Sequence, residues 1–149
     1  MSNKSEIASF DLSSLDTADE AEMEVRINGK LSGWRLRFAG PGHQKSIQQE
    51  NRLARENLER RKAQERAQVN GRKWKPEDET VEEVIAKNIQ LIVERLIDWT
   101  PVTLDGEPYP FSPENARKLL SDPKKGTILT QCLDFLGDET IFTKRSATN

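Results

Sequence analysis

The chain has 149 residues, of which 34% are hydrophobic and 32% are charged, and its formal net charge is −2. That length fits one ordinary domain, and the low apolar content predicts a core of roughly half the residues with polar extensions around it. A single cysteine excludes an internal disulfide, and no stretch resembles a membrane span or the apolar segment of a signal peptide. These features predict a protein that stays inside the cell that makes it.

Charged residues are segregated along the chain in three blocks. Residues 1–24 hold seven acids and one base, residues 45–75 hold ten bases and four acids, and residues 76–99 hold seven acids and two bases. This alternation permits intramolecular docking or head-to-tail self-association. It differs from the one-sided positive charge of a committed nucleic-acid binder.

The first element in chain order is an acidic tail over residues 1–21. Its richness in Ser, Asp and Glu predicts disorder. The spacing of Phe10, Leu12 and Leu15 leaves open a second interpretation, in which the tail carries a short linear motif that folds on a partner.

A β-hairpin is predicted next, over residues 22–39. Apolar and charged residues alternate on both sides of Asn28-Gly29, a dipeptide typical of tight hairpin turns. A lone hairpin is marginally stable in water, so its apolar face must pack on the chain's own helices or on a neighbouring protein.

Residues 40–75 are predicted to form a polar, basic helix and a linker. The helix is expected over residues 46–69 and has only a thin apolar stripe, which includes Ile47 and Leu58. Pairs of opposite charge four residues apart cover its other faces. A helix this polar stands in solvent or lies against a wet surface.

A helical core domain is predicted over residues 76–142, and the last residues, 143–149, are expected to fray. Apolar spacing and capping signals predict three helices, over residues 80–99, 113–121 and 124–137. Between the first two, the Asp105-Gly106 turn closes a small apolar flap. The predicted fold is therefore α+β and mainly α, with an N-terminal hairpin followed by about four helices around one small core.

The residues that could carry chemistry have structural interpretations. His43 is the only histidine and follows a Gly-Pro-Gly break, where a capping or surface role is more common than a catalytic one. Cys132 falls on the apolar face of a predicted helix, which favours a buried, inert thiol. An acid-rich stretch over residues 77–83 lacks the ligand spacing of a calcium loop. We therefore predict no enzymatic activity, no metal site and no cofactor.

This order of parts resembles the tail assembly chaperones of long-tailed, siphovirus-type bacteriophages. The motifs that carry the resemblance are structural turns and caps: Asp98-Trp99, Leu104-Asp105-Gly106, Pro110-Phe111-Ser112, Asn115-Ala116, Leu119-Leu120, Asp122-Pro123, and Phe38-Ala39-Gly40-Pro41 with His43. The resemblance implies a small, mostly helical protein of the host cytoplasm that is absent from the finished virion. Its implied partners are the tape measure protein, which it holds soluble, and tail tube subunits, which it helps to recruit.

A client surface is predicted on the basic helix and the hairpin face. Its candidate partner-binding residues are Trp34, Ile47, Leu58, Arg60, Arg61 and Trp74. One alternative is a virion structural subunit, such as a tail completion or connector protein, which would co-purify with particles. Another is a small regulator that binds nucleic acid through residues 45–75, and that binding would fall steeply with salt.

Overall fold

The computed structural model describes residues 9–73 and 78–138. Within those ranges the strands are β1 (Glu20–Ile27), β2 (Lys30–Ala39), β3 (Leu96–Trp99), β4 (Thr103–Leu104) and β5 (Glu107–Pro108). The α-helices are α1 (Gln44–Val69), α2 (Val81–Arg95), α3 (Pro113–Ser121) and α4 (Gly126–Gly137). The predicted class, mainly α with an N-terminal hairpin followed by four helices, is confirmed. Helix α4 starts two residues later than predicted because a 3-10 turn (Pro123–Lys125) precedes it.

The hairpin forms through the predicted two-residue turn. Asn28 and Gly29 both have positive φ angles, 53° and 80°, as a type I′ turn requires. Strands β1 and β2 pair antiparallel, with Glu20 opposite Ala39. The first strand therefore begins two residues before the predicted start of the hairpin.

A third strand extends the hairpin, and this corrects the predicted helix over residues 80–99. Helix α2 ends at Arg95, and β3 then pairs antiparallel with β2, which places Trp99 opposite Leu36. Residues 96–99 have apolar side chains at both ends, a pattern that fits the last turn of a helix as well as a short strand. Periodicity alone therefore does not distinguish the two structures. The open edge of β2 supplies the backbone partners that favour the strand.

The apolar face of the hairpin packs on the protein's own helices. The buried cluster draws on β1, β2, β3, α2, α3 and α4: Ala21, Met23, Val25, Leu36, Phe38, Ile89, Ile92, Val93, Leu96, Trp99, Ala116, Leu120, Ile128 and Cys132. Helix α4 is also tied to β1 by polar contacts, since the Gln131 amide accepts from the Arg26 N–H at 2.7 Å and donates to its carbonyl at 2.9 Å. Of the two alternatives that the sequence leaves open, the hairpin's apolar face thus adopts the first, packing on the chain's own helices.

The tail is more structured than predicted. Asp11 caps a 3-10 turn (Leu12–Leu15), its carboxylate accepting a backbone N–H of that turn at 3.0 Å. Residues 20 and 21 already belong to β1, and Ala21 is buried. Disorder is thus the wrong prediction for this part of residues 1–21, while residues 1–8 lie outside the described residues.

The predicted caps and flap are confirmed. His43, Thr80 and Ser112 each accept a backbone N–H of the helix that follows them, at 3.0 to 3.1 Å. These bonds satisfy donors that a helix start leaves without a partner. The Asp105-Gly106 turn joins β4 and β5, and both of its residues have positive φ angles.

Helix α1 is anchored through its first turns. Gln49 donates to the Glu94 carboxylate at 3.0 Å, and the Arg52 guanidinium makes two 2.6 Å hydrogen bonds to the same carboxylate. Beyond Arg52, every residue of the helix is exposed apart from the half-buried Ala67. We call residues 53–69 the arm, and at 1.5 Å per residue it is about 25 Å long.

The start of α2 is also exposed. Val81, Val84 and Ile85 fall within the predicted helical core domain, but they are 71%, 41% and 40% exposed. Their spacing fits one helix face, yet only the second half of α2 lies against the sheet and the other helices. No helix within residues 9–73 and 78–138 is both long enough and apolar enough to cross a membrane.

Candidate functional site

The predicted partner-binding residues that the structure describes lie on two surfaces. One group follows a single helix, α1: Ile47, Leu58, Arg60 and Arg61. Trp34 lies on β2 and borders a separate cleft. Trp74 and the rest of residues 74–77 lie outside the described residues.

The first surface is an apolar stripe along α1. Ile47, Leu58 and Val69 follow one another at intervals of eleven residues, which is about three helical turns, so their side chains share one face. They are 45%, 52% and 86% exposed. With the exposed Ala54, seven residues after Ile47, they form what we call the α1 stripe, which is about 33 Å long at 1.5 Å per residue.

Arg60 and Arg61 lie on different faces of that helix. Successive residues are about 100° apart, so Arg61, three residues after Leu58, flanks the stripe while Arg60 lies on nearly the opposite side. Lys62, four residues after Leu58, flanks the stripe on its other edge. The sequence-based prediction treated the two arginines as a pair, and the helix separates them.

The second surface is a cleft between the sheet, the β4–β5 flap and α3. Its volume is about 380 Å³. We call this surface the cleft, and its lining residues are Trp34, Val102, Thr103, Leu104, Tyr109, Lys118, Leu119, Asp122 and Lys125. Because these residues come from distant parts of the chain, sequence reasoning found only Trp34 as a candidate here, and placed Leu104 and Tyr109 in an apolar flap.

An aromatic cluster holds the walls of the cleft in place. The ring of Trp34 meets Trp99 edge-on at 5.6 Å, and its indole N–H donates to the carbonyl of Thr100 at 3.1 Å. Trp99 stacks on Tyr109 at 6.0 Å and donates its own indole N–H to the Tyr109 carbonyl at 3.1 Å. The Tyr109 hydroxyl donates to the Asn115 carbonyl at 2.9 Å. The cleft is therefore preformed, which lowers the ordering cost of binding.

Charged side chains form one edge of the cleft. Lys125 pairs with Asp122 at 2.7 Å, and Lys118 lies 3.6 Å from Glu114. Hydrogen bonds from the Lys125 ammonium and the Lys124 backbone lower the pKa of Asp122. Residues 113–125 carry four bases and two acids, so this edge has a positive balance.

His43 and Cys132 have the structural roles that the sequence predicts. The Nδ1 atom of His43 accepts the Lys45 N–H at 3.0 Å and so caps α1. Cys132 is fully buried, and this burial raises the pKa of its thiol to about 12. A thiol with so high a pKa is not ionised near neutral pH and is a poor nucleophile.

Both candidate surfaces are thus suited to binding apolar side chains beside charges. Comparison with protein-family models, with curated proteins and with solved structures finds no match to this chain.

Proposed function

We propose that this chain is a tail assembly chaperone of a long-tailed bacteriophage, which binds the tape measure protein non-catalytically during assembly. The observation that carries the proposal is the α1 stripe, an exposed apolar line on a charged helix whose residues beyond Arg52 are exposed, apart from the half-buried Ala67. The motif resemblance described above supports the choice of client, because tape measure proteins are long helical chains.

The geometry of the stripe suits a helical client. An eleven-residue spacing corresponds to 3.67 residues per turn, which is close to that of a straight α-helix, so two such helices can pair with little supercoiling. Helix-in-groove recognition uses apolar anchors on one face in this way. The charges on the other faces of α1 would keep the complex soluble.

Basic residues beside the stripe give the contact its electrostatic preference. The arm holds five bases and three acids, so a client helix with acidic residues beside its apolar face would be attracted. We propose that Leu58 and Ile47 are apolar anchors, and that Arg61 and Lys62 are the flanking charges. Recruitment of tail tube subunits remains part of the proposal through the resemblance alone.

The test is co-expression with the tape measure protein of the same genome. We expect the client to become soluble and to co-purify on a tagged copy of this chain. Arg61→Glu should reduce the retained client about tenfold, which corresponds to about 1.4 kcal/mol, because it reverses a charge beside the stripe. Arg60→Glu is the matched control, since it makes the same change on the opposite face, and it should stay within about twofold.

Three outcomes would contradict the proposal. An insoluble and unbound client would remove the chaperone role, and equal effects of the two variants would remove the stripe from the interface. Finding the chain in purified particles would favour a virion structural subunit instead.

A further inference from the structure

We propose that the cleft binds residues 9–16 of a second copy of this chain, so that copies associate head to tail. The contact joins two different surfaces, the cleft of one molecule and the acidic turn of the next. This inference concerns self-association and stands independently of the tape measure client.

The proposed ligand is a preformed turn whose apolar side chains are exposed in the part of the chain that the structure describes. Phe10, Leu12 and Leu15 are 58%, 72% and 69% exposed, although Asp11 caps the 3-10 turn that holds Leu12 and Leu15 and directly follows Phe10. The Ser14 hydroxyl also donates to the Asp11 carbonyl at 2.7 Å. A turn that is already ordered loses less conformational entropy when it binds.

The cleft matches this turn in size and in polarity. A volume of about 380 Å³ accommodates a phenylalanine and a leucine side chain, and the walls offer Trp34, Leu104, Tyr109 and Leu119 as apolar contacts. Aromatic and aliphatic anchors that fill such preformed pockets dominate the binding energy of small interfaces.

The two surfaces are also complementary in charge. The proposed ligand, residues 9–16, carries two acids and no base, while residues 113–125 at the cleft edge carry four bases and two acids. Lys118 borders the cleft directly, and its link to Glu114 at 3.6 Å is between two exposed side chains and therefore weak. An incoming acidic turn gives this ammonium a second partner.

The turn cannot reach the cleft of its own molecule in this conformation. The Gly40 N–H donates to the carbonyl of Asp19 at 2.7 Å, which fixes the acidic segment at the far end of β2. Trp34 lies six residues before Gly40 on that strand, about 20 Å away at 3.3 Å per residue. Leu15 borders the same surface pocket as Gly42, so the turn also lies at that end of the strand. In this conformation the occupant of the cleft therefore comes from another molecule.

Sedimentation velocity on the full chain tests the proposal. We expect concentration-dependent association with a dissociation constant on the order of 100 μM, because a segment of this length buries a small interface. The triple variant Phe10→Ser, Leu12→Ser, Leu15→Ser, called the segment variant, and Leu104→Glu, called the cleft variant, should each weaken association at least about tenfold. Ile27→Ser is the control, because this side chain is similarly exposed at the other end of the hairpin, outside both surfaces.

Mixing the two variants gives the sharpest readout. The segment variant keeps an intact cleft and the cleft variant keeps an intact segment, so a head-to-tail contact forms one pair between them and stops at the dimer. A wild-type chain that stays monomeric into the millimolar range, or a mixture that remains monomeric, would overturn the proposal. Association of the segment variant alone, or of the cleft variant alone, as strong as that of the wild-type chain would also overturn the proposal.

A peptide assay keeps the proposal testable if Leu104→Glu fails to fold. A labelled peptide of residues 9–16 should bind the wild-type chain by fluorescence anisotropy, and added salt should weaken it. The same peptide with serine at its three apolar positions should bind at least about tenfold more weakly. Equal binding of both peptides, or no binding of either, would contradict the assignment of the cleft.

Discussion

Two parts of this molecule are stabilised by different physical means. The body, which consists of the three-stranded sheet, the second half of α2, α3 and α4, buries a contiguous apolar cluster around Phe38, Ile92 and Trp99. The arm has exposed side chains on nearly every side and relies on local helix-forming residues, with an ion pair between Glu56 and Arg52 at its base. The body therefore determines the stability of the protein, while the arm is free to serve as a binding surface.

The largest expected effect is on the body, from Trp99→Ala. Trp99 is 7% exposed and its ring contacts three other aromatic side chains, so its removal should lower the free energy of unfolding by about 3–5 kcal/mol. Leu58→Ala in the arm should change it by less than about 0.5 kcal/mol. Urea unfolding followed by circular dichroism measures both values. Similar losses in the two variants would contradict the division into body and arm.

A second prediction concerns the junction where the acidic segment meets the sheet. A Cβ atom on Gly40 would overlap the backbone carbonyl of Ala18. The substitution Gly40→Ala must therefore displace the backbone that leads into β1. We expect a loss of about 1–3 kcal/mol in the free energy of unfolding.

Gly42→Ala is the matched control for that substitution. Its added Cβ would meet nothing closer than the Thr17 hydroxyl at 3.9 Å, which is an ordinary contact. We expect a change of less than about 1 kcal/mol, and stabilisation is possible because alanine restricts the unfolded chain. A larger loss for Gly42→Ala than for Gly40→Ala would show that the close approach at Ala18 is not limiting.

The third prediction concerns the charged contact between α1 and α2. Burial acts to raise the pKa of Glu94, but hydrogen bonds from Arg52 and Gln49 outweigh it and lower the pKa below its ordinary value of 4.5. A carboxylate with a lowered pKa in the folded state contributes stability above its unfolded pKa and loses it as the pH falls through the folded value. The contact should therefore weaken below about pH 4.5.

Glu94→Gln tests this contact directly. We expect a loss of about 1–2 kcal/mol at pH 7, because the pair is partly exposed to solvent. The difference from wild type should shrink as the pH falls to about 3, since protonation removes the same charge. Thermal unfolding across that pH range measures it, and a constant difference would show that Glu94 does not titrate in this range.

Much of the fold could be predicted because its signals are local. The turn at Asn28-Gly29, the cap at Ser112 and the bounds of α3 follow from backbone preferences of a few neighbouring residues. The strand β3 could not be predicted, because its pairing with β2 joins residues about sixty positions apart in sequence. Local periodicity carries no information on such a partner.

The candidate site was predictable only in part for the same reason. The α1 stripe is visible in the spacing of Ile47 and Leu58, whereas the cleft depends on the tertiary approach of β2, the flap and α3. Trp34 was identified as a candidate anchor on the apolar face of the hairpin, but its edge-on contact with Trp99 and its place beside Leu119 are products of packing. The exposure of Val81 likewise follows from how far α2 extends beyond the sheet.

The smallest expected effect on global stability is that of Ala63→Gly in the arm. Glycine in a helix interior is less stable than alanine by about 1 kcal/mol. The arm packs little against the body, so this local destabilisation should not change the stability of the body. Ala116→Gly is the matched substitution in the body, where the methyl group is fully buried.

Cys132, also fully buried, reports opening of the body through its rate of labelling by a thiol reagent. Ala63→Gly should speed hydrogen exchange within the arm and leave the labelling of Cys132 unchanged, whereas Ala116→Gly should speed that labelling. If Ala63→Gly accelerated it as much, the arm and body would unfold as one unit, and a partner bound along α1 would then stabilise the whole protein rather than the helix alone.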